Sequence, residues 1–130
     1  MRLLLDTHVW LWSLLSPEKL SPAVLTELES PDSELWLSPI SAWEAHILIE
    51  KGRVSVKGDA TDWVRTALRS APLREAAVTN EVAIESRKIS LPHQDPADRF
   101  IAATALVYDL TLVTADKRLV NAEGVSVFPS

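Results

Sequence analysis

Four carboxylates, Asp6, Glu44, Asp98 and Asp116, are the residues of this chain best able to do chemistry together. Asp6 closes the run Arg2-Leu3-Leu4-Leu5-Asp6-Thr7, where three consecutive apolar residues read as a buried strand with the acid at its carboxyl end. Asp116 ends Leu110-Thr111-Leu112-Val113-Thr114-Ala115-Asp116, which is built the same way. In open α/β sheets, ligands bind in the crevice beyond the carboxyl ends of the strands, so acids placed there converge on one site. Several carboxylates brought together repel unless they share protons or a cation. An all-oxygen set selects Mg²⁺ or Mn²⁺ over zinc, and such ions serve phosphoryl transfer.

Each acid also has a plainer role open to it. Asp6 suits the cap of a helix beginning near His8, and Asp116 suits a turn beside Lys117 and Arg118. Asp98 falls in the first turn of an apolar helix, where an exposed acid gains from the helix dipole by about 0.3–1 kcal/mol. Asp95, just before Pro96, is the better cap there and leaves Asp98 available to coordinate, with Arg99 positioned to pair with either acid. Glu44 is harder to explain structurally, because Ile47 and Leu48 at i+3 and i+4 share its helix face and should turn it inward. A carboxylate on an apolar stripe is costly unless paired or metal-bound.

The elements that must position these acids alternate strand and helix. The pattern gives strand Leu3–Leu5, a helix over Val9–Leu15, and a second helix started by N-cap Ser21 and Pro22, with Leu20 stapled against Leu25. A strand over Glu34–Ser38 leads to a helix from about Ala42 to Lys51, stopped by Gly52. The clearest amphipathic helix covers Asp59–Ser70, with Ala60, Trp63, Val64, Ala67 and Leu68 on one face. A short strand over Ala76–Thr79, Asn80 capping Glu81–Ile89, helix Ala97–Tyr108, and strands Thr111–Thr114 and Val125–Phe128 complete the chain. Such alternation implies a parallel sheet of about five strands with right-handed crossovers and helices on both faces, a three-layer α/β/α sandwich.

Composition narrows the field further. The 130 residues fit one domain, 1–130, with a hydrophobic fraction of 47%, eight prolines and no linker or repeat. With no cysteine, thiolate metal sites and cysteine nucleophiles are excluded. Glycines occur only at 52, 58 and 124, so there is no Gly-rich phosphate loop and no G-x-S-x-G elbow. His8, His46 and His93 lack metal-binding spacing and are expected in structural or surface roles. The five tryptophans are expected mostly in the core, although an exposed one would stack on a base. Asp6 and His8 interrupt the first apolar stretch, which does not read as a signal peptide, and no apolar run spans a bilayer; a cytoplasmic protein without membrane contact is expected. A net charge of −5 argues against bulk attraction to nucleic acid. A local rim of Lys51, Arg53, Lys57, Arg99, Lys117 and Arg118 could still contact a phosphate backbone.

Four segments in order resemble those of PIN domains, and more narrowly of the VapC-type toxin ribonucleases of type II toxin–antitoxin pairs. They are Leu4-Leu5-Asp6-Thr7-His8-Val9-Trp10-Leu11-Trp12, Ser38-Pro39-Ile40-Ser41-Ala42-Trp43-Glu44, Asp95-Pro96-Ala97-Asp98-Arg99-Phe100-Ile101-Ala102-Ala103-Thr104-Ala105 and Leu112-Val113-Thr114-Ala115-Asp116-Lys117-Arg118-Leu119. One departure is Ala97, where many relatives carry a bulkier apolar residue, a change that bears on packing more than on chemistry. The resemblance implies strand order 3-2-1-4-5 and a catalytic set Asp6, Glu44, Asp98 and Asp116. Asp6, Asp98 and Asp116 would hold Mg²⁺ or Mn²⁺, Asp6 and Asp98 most directly, with Thr114 supporting and Asp95 second in line.

The resemblance further implies metal-dependent hydrolysis of an RNA phosphodiester, a homodimer, and a cognate VapB-type antitoxin whose tail enters the acidic groove. Three other readings start from the same acids: a PIN-like nuclease acting on DNA, a phosphoryl-receiver module, and a non-catalytic interaction module. A flap nuclease needs additional elements to hold duplex and flap, for which this chain has little room. Receivers carry adjacent acids after the first strand, whereas Asp6 is followed by Thr7-His8.

Overall fold

The computed structural model describes every residue except His93, Asn121 and Ser130, so the role expected of His93 lies outside the described residues. The strands are β1 (Arg2–Leu5), β2 (Glu34–Leu37), β3 (Leu73–Glu75), β4 (Thr111–Val113) and β5 (Val127–Phe128). They form one sheet in the order β3-β2-β1-β4-β5, and every neighbouring pair runs parallel. This is the 3-2-1-4-5 order that the resemblance implied. The helices are α1 (Thr7–Leu15), α2 (Pro22–Glu29), α3 (Pro39–Glu50), α4 (Ala60–Arg69), α5 (Asn80–Lys88), α6 (Pro96–Tyr108) and α7 (Lys117–Val120).

Alternation along β1 divides the core in two. Leu3 and Leu5 face one side and pack with Val9, Trp10 and Leu11 of α1, Val24 of α2, Ala45 of α3, and Val64 and Ala67 of α4. Leu4 faces the other side with Leu112 of β4, Ile101, Ala102 and Ala105 of α6, and Leu119 of α7. The sheet is therefore covered on both faces, which is why Leu3–Leu5 of β1 and Leu112 and Val113 of β4 form unbroken apolar runs rather than alternating with polar residues. Full burial of side chains such as Leu3, Leu4 and Leu112 contributes about 1.5–3 kcal/mol each.

Helix starts follow the local signals closely. Ser21 accepts from Val24 N at 3.3 Å with Pro22 at the first helical position, as expected. The same Ser-Pro device starts α3 at Pro39, earlier than the expected Ala42, because the Ser38 hydroxyl accepts from Ile40 N at 3.0 Å. Beyond its end, Gly52 adopts φ +72, a left-handed conformation that favours glycine and lets the chain leave the helix.

Two further expectations are corrected. The third strand is Leu73–Glu75 rather than Ala76–Thr79, so the apolar Ala76-Ala77-Val78 drew the strand too late. β3 lies at the sheet edge, where Arg74 and Glu75 are exposed and charges discourage pairing with other chains. The helix after it is capped by Thr79, whose hydroxyl accepts from Val82 N at 3.2 Å, while Asn80 is already helical.

Register places the site. Leu5 of β1 is level with Val113 of β4, so the next residue of each strand, Asp6 and Thr114, emerge side by side at the carboxyl end of the sheet's centre.

Candidate active site

Asp6 is only 6% exposed. Its Oδ1 accepts from Thr7 N at 2.8 Å, which is the capping role open to it, and its Oδ2 accepts from the Thr114 hydroxyl at 2.7 Å. The same Thr114 oxygen accepts from Asp116 N at 3.0 Å. One hydroxyl thus joins the acids that follow β1 and β4, and each Asp6 oxygen keeps acceptor capacity for a further partner. Burial pushes the Asp6 carboxyl up, partly offset by the Thr114 and Thr7 hydrogen bonds.

The first turn of α6 separates two acids by role. Asp95 caps it, its Oδ1 accepting from Ala97 N at 3.0 Å and Asp98 N at 3.4 Å. Asp98 is 8% exposed, so the exposed dipole role does not describe it. Its carboxyl is pushed up to about 7, first by burial and then by the charges of Asp95, Asp6, Asp116 and Glu44. From α3, Glu44 turns inward as its helix face required and is half-buried. Burial raises its carboxyl as well, and the Thr7 hydroxyl pulls it part of the way back.

These side chains meet in a crevice of 320 Å³ lined by Asp6, Glu44, Asp95, Asp98 and Asp116 together with His8, Trp12, Ala115 and Arg118. All six residues singled out from the sequence, Thr114 included, fall at this one place, Thr114 from beneath through Asp6. His8 and Trp12 were not singled out for the site, and Arg118 was expected only in the basic rim. His8 is exposed, in keeping with a surface role, yet it lines the crevice with its ring 5.7 Å from that of Trp12. Their i, i+4 spacing on the helix that Asp6 starts was the available signal. Of the other tryptophans, Trp10 is fully buried, whereas Trp43 is 56% exposed.

The basic residues divide. Arg53 and Lys19 line a wider groove of 780 Å³ that shares His8, Trp12, Glu44, Asp95 and Arg118 with the crevice. Arg99 does not belong to a phosphate-contacting rim: it is 6% exposed, and its guanidinium donates to the carbonyls of Ser86 and Ile89 at 2.8 Å and of Arg87 at 3.4 Å. These carbonyls lie at the carboxyl end of α5, where four backbone acceptors lack helical partners.

The donor set fits a hard divalent cation. It is all carboxylate and hydroxyl oxygen, as Mg²⁺ and Mn²⁺ require, and the burial that pushes the Asp98 and Asp6 carboxyls up is what a cation would offset. Among the described residues, no three acids or imidazoles are drawn into a ready-made ion shell. Arg118 instead stands against two of the acids, with Nη2 2.8 Å from Asp116 Oδ2 and 3.7 Å from Asp98 Oδ2.

An all-parallel 3-2-1-4-5 sheet with acids gathered beyond its central strands is the arrangement of PIN domains. The sequence matches the PIN domain family over residues 3–125, and the chain belongs to that family. Within it, the chain is 35% identical over 119 residues to Ribonuclease VapC22 of Mycobacterium tuberculosis, covering 89% of this chain and 88% of that protein. The fold is shared with VapBC2 from Rickettsia felis bound to a DNA fragment from their promoter, at a TM-score of 0.72 and 17% identity over 98% of this chain and 97% of that one. FitAcB from Neisseria gonorrhoeae superposes with a TM-score of 0.68 and 23% identity over 97% of this chain and 96% of that one.

Proposed function

We propose that the chain is the toxin of a type II toxin–antitoxin pair, a metal-dependent endoribonuclease restrained by a VapB-type antitoxin. The observation that carries this reading is the gathering of five carboxylates in one crevice, with Asp6 and Asp98 both buried. Acids gathered and buried in this way cost stability unless cations join them, which a divalent ion would do more fully than the single charge of Arg118. The VapC22 relative, named a ribonuclease, supports the choice of RNA. The VapBC complexes among the structural neighbours support an antitoxin partner.

Asp6, Asp98 and Asp116 would hold Mg²⁺ or Mn²⁺. When bound, the ion supplies charge neutralisation at the scissile phosphate and a more acidic water. Glu44, half-buried at the crevice wall with its carboxyl raised, would orient the attacking water and accept its proton. The Thr114 hydroxyl keeps Asp6 Oδ2 fixed while Thr7 N fixes Oδ1, so that carboxylate need not reorganise. An antitoxin that inserts a basic side chain among these acids would compete with both metal and RNA. Among the described residues, no helix is long and apolar enough to cross a membrane; we place the protein in the cytoplasm, as a homodimer.

Single-stranded RNA and flap DNA offered side by side with Mg²⁺ test the substrate class. The expected result is cleavage of RNA with the flap left intact; preferential cutting of the flap would overturn the ribonuclease reading in favour of a DNA nuclease.

A further inference from the structure

Five carboxylates line the crevice, and among the described residues one guanidinium faces them, that of Arg118. It grips Asp116 in two places, with Nε donating to Oδ1 at 3.1 Å and Nη2 to Oδ2 at 2.8 Å, and its backbone N–H donates to Oδ1 at 2.9 Å. A planar fork on a carboxylate is the strongest geometry a side-chain ion pair adopts. With Asp116 alone this would be a local turn of small energetic weight. Arg118 Nη2 also lies 3.7 Å from Asp98 Oδ2, on a different helix, and there the exposure is 58% for the arginine side chain against 11% for the aspartate. The guanidinium therefore lies over the mouth of the crevice with its outer side in water.

We propose that Arg118 is a resident counter-cation that exchanges with the metal: it spans Asp98 and Asp116 while the divalent ion is absent, and binding of the ion turns it outward to take a phosphate of the substrate. The inference rests on the reading that these acids hold a divalent cation. Oxygens committed to the guanidinium are unavailable to an ion, and a dication and a guanidinium sharing the same two carboxylates repel at such distances. The way out is open, because Arg118 also lines the wider groove that contains Arg53 and Lys19. There its fork matches a phosphate as well as it matched a carboxylate. The backbone bond from Arg118 N to Asp116 can persist during the swing, so the start of α7 need not change.

The signature is a pair of effects of opposite sign. Removing the side chain should tighten metal binding and weaken RNA binding, whereas loss of a merely structural residue would weaken both. The experiment measures Mn²⁺ binding by titration calorimetry without RNA for the unaltered chain, Arg118→Gln and Arg118→Lys. Thermal melts confirm folding, and KM for single-stranded RNA is then read in Mn²⁺. Arg118→Gln should bind Mn²⁺ roughly three- to tenfold more tightly and show a raised KM, with Arg118→Lys between the two proteins. Equal or weaker Mn²⁺ binding by folded Arg118→Gln overturns the exchange. An unmoved KM overturns the phosphate role. If Mn²⁺ binds none of the three, the inference and the metal-site reading fall together; if it binds as expected and no protein cuts RNA, the exchange stands while the phosphate role and the ribonuclease reading fall.

Discussion

Asp98→Asn should abolish RNA cleavage, by about 10³-fold or more, because it removes a charge from the acids proposed to hold the metal at the reacting phosphate. The same change should make the metal-free chain more stable. The Asp98 carboxyl stands at about 7 in the folded chain against an ordinary 3.8. A raised carboxyl contributes stability that is fully present below its unfolded value and is lost as pH rises through its folded one. Asp6 and Glu44 are shifted in the same direction by burial. In EDTA, the unaltered chain should therefore melt lower at pH 8 than at pH 5, and Asp98→Asn should narrow the gap by an amount on the order of 1–3 kcal/mol. Melts at the two pH values, with single-turnover cleavage in saturating Mg²⁺, check both halves. An Asp98→Asn variant that cleaves at the unaltered rate would remove Asp98 from the mechanism, and one that melts lower in EDTA at pH 8 would show that its buried charge is already compensated.

Arg99→Met should unfold the chain more readily than any change at the crevice. The guanidinium is buried and donates to the carbonyls of Ser86, Arg87 and Ile89 at the end of α5, and a methionine leaves those acceptors in an apolar setting without donors. A buried acceptor left without its donor costs about 1–3 kcal/mol, and the carbonyls of Ser86 and Ile89 would both be so left, a large share of the stability of a domain this size. Arg99→Lys should recover only part, since one ammonium cannot reach three carbonyls in a fixed fork. Urea denaturation would measure both. A midpoint unmoved by Arg99→Met would mean that water satisfies the carbonyls and that the arginine's contacts carry little energy.

The contrast between Arg99 and Asp98, adjacent in sequence, shows what the chain made legible and what it did not. Asp98 could be read because it falls in the first turn of an apolar helix that already had a better cap in Asp95. Arg99 was assigned to a phosphate-contacting rim because its charge is visible in the sequence and its depth is not; only the packing of α5 against α6 decides which way its stem runs. The order of the sheet followed from a family pattern, while strand identity failed at β3, where an edge strand of Leu73-Arg74-Glu75 has no apolar run to announce it. Cap residues were legible where a Ser-Pro pair stood before a helix, and Ser38-Pro39 carried the same signal as Ser21-Pro22. Arg118 was visible as a neighbour of Asp116, but its reach to Asp98 depends on two elements meeting in space.

The most direct test of the account is cleavage of a mixed pool of structured and unstructured RNAs by the purified chain freed of any antitoxin, in Mg²⁺, in EDTA, and in EDTA followed by excess Mg²⁺. The account predicts cleavage that stops with the chelator, returns with the metal, and is missing throughout from a folded Asp98→Asn control. Cleavage that persists in EDTA, or that the control retains, would contradict a metal-dependent ribonuclease built on these acids.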